Sequence, residues 1–128
     1  MTIFAEISPG ELIDKITILE IKCERIADEF KRANVRRELR ALNATLGRDI
    51  PASAELARLR GELKGVNLAL WEIEDAIREE ERAKTFGERF VALARAVYRT
   101  NDRRAELKRE INLLTESDLI EEKSYSAY

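Results

Sequence analysis

Apolar positions along the chain repeat at alternating intervals of four and three residues. Leu12, Ile16, Leu19, Cys23, Ile26 and Phe30 form the first such seam, the signature of a helix packed along one stripe. Ser8-Pro9-Gly10-Glu11 marks its start: Ser8 is a capping side chain, Pro9 suits the first helical position, and Glu11 can close a capping box. Val35, Leu39, Leu42 and Leu46 continue the seam out of phase with Phe30, a shift that a local overwinding or a bend near Ala33-Asn34 would absorb. With Gly47 as C-terminal cap and Pro51 beyond it, the first helix is expected over 9–46, a rod of roughly 55 Å.

Leu56, Leu59, Leu63, Val66, Leu70, Ile73 and Ile77 keep the alternation without a miss and predict a second helix over 53–83. Thr85-Phe86-Gly87-Glu88 is a second capping-box pattern. It predicts a third helix over 85–115, with Phe90, Leu93, Val97, Leu107, Ile111 and Leu114 in phase and Thr100 and Arg104 interrupting the seam. Ile3, Ala5 and Ile7 share one face of a short N-terminal strand, and 117–128 reads as one helical turn followed by an extended end. Short connections force neighbouring helices antiparallel. The expected fold is therefore all-α: three long antiparallel helices in an elongated, coiled-coil-like bundle, one domain over 1–128, with a short N-terminal strand.

Two features do not belong to that seam. Ile13, Ile18 and Ile21 make the start of the first helix apolar nearly all round, and Gly61, Gly65 and Ala69 recur every four residues on the outer face of the second. Both are expected to pack against something further, and a two-fold homodimer is the simplest way to supply it. A second, polar and aromatic stripe carries Asn67, Trp71, Glu74 and Arg78 on one helix and Tyr98, Asn101, Ala105, Lys108 and Asn112 on the next. The hairpin should bring Trp71 into contact with Tyr98, and Glu74 should engage Arg78 or Arg25. The stripe fits two readings: a buried polar layer that fixes helix register, or a binding surface for a protein partner or a small anionic ligand. For the second, the candidate binding residues are Arg25, Asn67, Trp71, Glu74, Arg78, Arg95, Tyr98, Asn101 and Lys108.

Composition narrows the chemistry. Hydrophobic residues are 45% of the 128, charged residues 38% and aromatics 6%, with five Gly and two Pro, a helix-forming mixture. The absence of histidine excludes His-based acid–base and nucleophilic catalysis and leaves only carboxylates and Cys23 as metal ligands, so neither metal nor cofactor is expected. Glu72 and Asp75 stand three apart, as in helical nucleotide pyrophosphohydrolases. The second carboxylate pair such enzymes need is missing, since Glu20 and Glu24 are four apart. Arg25, Arg95 and Lys108 could hold a dicarboxylate as in small helical chorismate mutases, but the rest of the pattern does not fit. No Gly-rich loop cradles a phosphate. The net charge of −2 argues against nucleic acid: seven basic against two acidic residues over 89–109 are balanced by six acidic against two basic over 70–82. No window resembles a membrane span or a signal peptide, and the single cysteine fits a reducing compartment, so a cytoplasmic protein is expected.

The blocks Ser8-Pro9-Gly10-Glu11-Leu12-Ile13-Asp14-Lys15-Ile16-Thr17-Ile18-Leu19-Glu20-Ile21-Lys22, Leu70-Trp71-Glu72-Ile73-Glu74-Asp75-Ala76-Ile77-Arg78, Ala94-Arg95-Ala96-Val97-Tyr98-Arg99-Thr100-Asn101-Asp102-Arg103-Arg104-Ala105 and Glu121-Glu122-Lys123-Ser124-Tyr125 resemble a bacterial family of unknown function. The resemblance implies a small stand-alone cytosolic protein, in some cases in a sugar-transfer or cell-envelope context. It brings no assigned catalytic residue. Together these readings favour a non-catalytic binding or protein-interaction module, with a small helical enzyme acting on an anionic metabolite as the alternative.

Overall fold

A computed structural model describes residues 1–128 and contains four helices and no strand: α1 (Pro9–Arg25), α2 (Glu29–Asp49), α3 (Ala54–Ala83) and α4 (Glu88–Leu114). The expectation of three helices is thus corrected, because the rod expected over 9–46 is two helices. Ile26 is extended, and Asp28 accepts the Lys31 amide at 2.9 Å as the N-cap of a new helix. The break lies upstream of the bend expected at Ala33-Asn34. Phe30, counted as a seam residue, is 88% exposed. α2 folds back along α1, where Lys15 pairs with Glu38 at 2.8 Å.

That reversal explains the all-round apolar character of α1. It touches α2, α3 and α4, and Leu12, Ile13, Ile16, Leu19 and Ile21 are all buried within one chain. Ile18 is half-buried. The core gathers Ile13 with Leu56, Leu59 and Leu63 of α3 and Leu107 and Ile111 of α4, and Leu46, Ile50 and Val66 pack against it. Each such side chain contributes about 1.5–3 kcal/mol when fully buried. α2 contributes no fully buried residue and forms the outer layer.

Several local expectations shift for local reasons. Ser8 caps α1 through the Glu11 amide at 3.1 Å, but the Glu11 carboxylate turns to Lys108 instead of closing the capping box. Gly47 lies inside α2, whose cap is Ile50. α4 starts at Glu88 after Gly87, while Thr85 bonds the carbonyl of Glu80. The N-terminal residues form no strand, since nothing offers an edge to pair with. The tail turns at Glu116, a non-glycine residue at φ 54°, and runs on without helix.

α1 lies antiparallel to α4 and parallel to α3. At about 25 Å it is much shorter than α3 at about 45 Å. Its last residue, Arg25, reaches Glu72 at 2.6 Å. Beyond that level α3 and α4 continue as a two-helix arm, in which Ile73, Ile77, Phe90 and Leu93 are only half-buried. Phe86 and Phe90 meet edge-on at its tip, with ring centroids 5.3 Å apart.

Candidate functional site

Two polar constellations stand out, one sealed and one open. The sealed one lies where α1 crosses α4. Arg104 grips the Asp14 carboxylate with two hydrogen bonds, from Nε at 2.8 Å and Nη2 at 2.5 Å. Asn67 Nδ2 donates to Asp14 Oδ1 at 2.9 Å and to Thr17 Oγ1 at 3.0 Å, and Thr17 donates to its own helix at the Asp14 carbonyl. One turn along, the Gly10 amide donates to Asn112 Oδ1 at 2.7 Å. The helices approach so closely here that a Cβ on Gly10 would stand 2.5 Å from the Lys108 carbonyl oxygen. Lys108 completes the layer. Its ammonium is bonded to Glu11 at 2.9 Å and to Glu121 of the tail at 3.1 Å. Burial opposes its charge, but the two carboxylates outweigh that and hold its pKa above the ordinary lysine value. Arg104 is likewise raised, chiefly by its hydrogen bonds to Asp14.

The open constellation is built by the tail. Glu121 on Lys108 and Glu122 on Arg109, at 3.3 Å, lead residues 117–128 back along α4. Tyr128 then donates to Asp102 Oδ2 at 2.8 Å, and its ring lies 5.1 Å from that of Tyr98 at a tilt of 58°. The Asp102 carboxylate raises the Tyr128 pKa. Between tail and helix lies an open cleft of about 780 Å³, lined by Val97, Tyr98, Asn101 and Asp102 of α4 and by Lys123, Tyr125 and Tyr128 among others of the tail. The chain has three tyrosines, and all three line this cleft.

The candidate residues divide between these places. Asn67 and Lys108 belong to the sealed layer, at 5% and 7% exposure. Tyr98 and Asn101 line the cleft. Arg25 is paired with Glu72, and Glu74 with Arg78 at 3.3 Å on the same helix face. Trp71 is half-buried on α3 and Arg95 is exposed on α4. Arg103–Glu62 and Arg89–Glu80 set the α3–α4 register, which brings the levels of Trp71 and Tyr98 together. The ring against Tyr98, however, is that of Tyr128 and not of Trp71.

Sequence reasoning missed Asp102, Lys123, Tyr125 and Tyr128, which meet only because the tail doubles back. The available signal was the pairing of two of the three tyrosines in an otherwise aromatic-poor tail. It also passed over Asp14 and Arg104, although Arg104 on an apolar seam pointed to a buried partner. No three carboxylate or thiol side chains gather in a group able to hold a metal ion, and no helix is long and apolar enough to cross a membrane.

Comparison with known proteins places the chain in a family. A family model described as "Family of unknown function (DUF6165)" matches residues 3–128, and the chain belongs to that family. No curated protein and no solved structure matches it.

Proposed function

We propose that this member of the DUF6165 family is a non-catalytic binding module whose site is the tyrosine-lined cleft between α4 and residues 117–128. The observation that carries the reading is the convergence of all three tyrosines with Asn101 and Asp102 on one open cleft of about 780 Å³. Ligand sites are typically ~300–1,000 Å³, mostly apolar, with a few convergent polar groups. The charged groups best suited to chemistry are already engaged: Asp14 with Arg104, Lys108 with Glu11 and Glu121, Arg25 with Glu72. Trp71, Arg95 and Lys108, the residues an enzyme acting on an anionic metabolite would need, do not line this cleft.

A cytoplasmic location, which the single cysteine favours, and a sugar-transfer or cell-envelope setting, which rests on the sequence blocks alone, are part of this proposal. So is a homodimer. With Ile13 and Ile21 covered inside one chain, its contact would use the outer face of α3, where the space at Gly61 and Gly65 is open to 4 Å. A thermal-shift screen against small molecules and peptides tests the binding reading, because a ligand that prefers the folded state raises the melting temperature. A hit whose shift disappears in Tyr98→Leu is expected. If every hit survives that substitution, or none is found, the cleft is not the site.

A further inference from the structure

We infer that the cleft is an aromatic cage for a small organic ammonium ion, and that Lys123 is its built-in competitor. The inference rests on the binding reading above and names the ligand class. A tyrosine ring presents a negative face, and a cation within about 6 Å of its centroid is attracted to it. Here three such rings, of Tyr98, Tyr125 and Tyr128, line one cleft. One of them already has a cation: Lys123 Nζ stands 5.6 Å from the centroid of Tyr125.

The charges around the cleft agree. Asp102 takes part in none of the ion pairs of the chain, and its bonded neighbour is the neutral hydroxyl of Tyr128. A carboxylate with no cationic partner therefore lines the same cleft as the three rings. Lys123 likewise forms no ion pair, so the ring is its specific contact. The adjoining cleft, which shares Asp102 and Lys123, adds Glu106, Glu121 and Glu122 and only one further cation, Arg109, itself bonded to Glu122. Arg99 lies near Tyr128 but lines the groove on the α3 side of α4. An anion would meet electron-rich faces and Asp102. An alkylammonium head would take the place of the Lys123 ammonium on the Tyr125 ring, in a cleft that the Tyr98–Tyr128 pair also lines, with Asp102 as counter-ion.

The test uses the full chain with choline chloride as probe. 3,3-Dimethylbutan-1-ol serves as the neutral isostere of the same shape, and Nα-acetyl-lysine amide as the probe for a lysine side chain of a partner protein. Titration followed by amide chemical shifts is expected to map choline or the lysine probe to 97–102 and 123–128, with the isostere much weaker. Tyr125→Leu or Asp102→Asn should weaken the cation by about twofold to fivefold, the range that loss of an exposed cation–π or counter-ion contact produces. Lys123→Ala should tighten it, whereas a merely structural Lys123 would leave it unchanged or weakened. Equal binding of the isostere, shifts mapping elsewhere, or no gain in Lys123→Ala overturns the ammonium cage. If an anion or neutral ligand binds instead and is lost in Tyr98→Leu, the cage fails and the binding module stands. If no ligand of any class binds at the cleft, both fail.

Discussion

Asp14 of α1 and Arg104 of α4, ninety positions apart, form a two-pronged ion pair in which the carboxylate is 2% exposed. A buried charge of this kind is stable only with its partner in place. Together with the Gly10–Asn112 bond and the Lys108–Glu11 pair, this ion pair ties particular turns of α1 and α4 to each other, where the apolar residues repeat every turn.

Arg104→Met is therefore expected to lower stability by about 3 kcal/mol, because it leaves the Asp14 carboxylate buried with only Asn67 to bond it. The double variant Asp14→Leu/Arg104→Met should recover much of that loss by removing both charges. Urea denaturation of the two singles and the double measures the coupling. A double variant no better than Arg104→Met would show that the pair does not act as a unit.

The glycines give opposite expectations. Gly10→Ala would drive a methyl to 2.5 Å from the Lys108 carbonyl and 2.8 Å from Asn112 Oδ1, so α1 and α4 must part, at a cost of about 1–3 kcal/mol. Gly61→Ala and Gly65→Ala meet nothing within 4 Å and should each stabilise the folded chain by about 0.5–1 kcal/mol. Sedimentation equilibrium on the same variants tests the homodimer: a two-fold contact over this face weakens when the methyls are added, and a monomer throughout removes it.

Alkaline pH should open the junction between tail and bundle. The Lys108 pKa is raised in the folded chain by Glu11 and Glu121, so its contribution to stability is complete below the ordinary lysine value of 10.5 and is lost as pH rises through the higher folded value. Tyr128, raised by Asp102, acts in the same direction. Stability measured from pH 9 upward should fall, and Lys108→Met should flatten the fall. An unchanged slope in that variant would place the alkaline transition elsewhere.

The arm beyond Glu72 should open before the core. Ile73, Ile77, Phe90 and Leu93 are half-buried between two helices, whereas Ile13, Leu63, Leu107 and Ile111 are fully buried among three. Amide hydrogen exchange is expected to protect 10–21, 56–67 and 104–112 to the level of global unfolding, and to show faster, sub-global exchange over 73–82 and 89–96. Uniform protection along α3 would contradict this.

Periodicity and end signals alone determined the all-helical class, the start of α1 at Ser8-Pro9, and the extents of α3 and α4 to within a few residues. These depend on local rules: spacing on a 3.6-residue helix, capping side chains and proline placement. The break at 26–28 was not legible, because a shifted seam describes equally a bent rod and a folded-back hairpin. What separates them is burial of the far side of α1, and that exists only once α2, α3 and α4 surround it. The site divides along the same line. Sequence brought Tyr98, Asn101 and Lys108 into one stripe on α4, matched with that of Asn67 on α3, since each set recurs at helical spacing. Tertiary packing sealed Asn67 and Lys108 against α1 and the tail, and left Tyr98 and Asn101 open to Tyr125 and Tyr128, which no helical period connects to them.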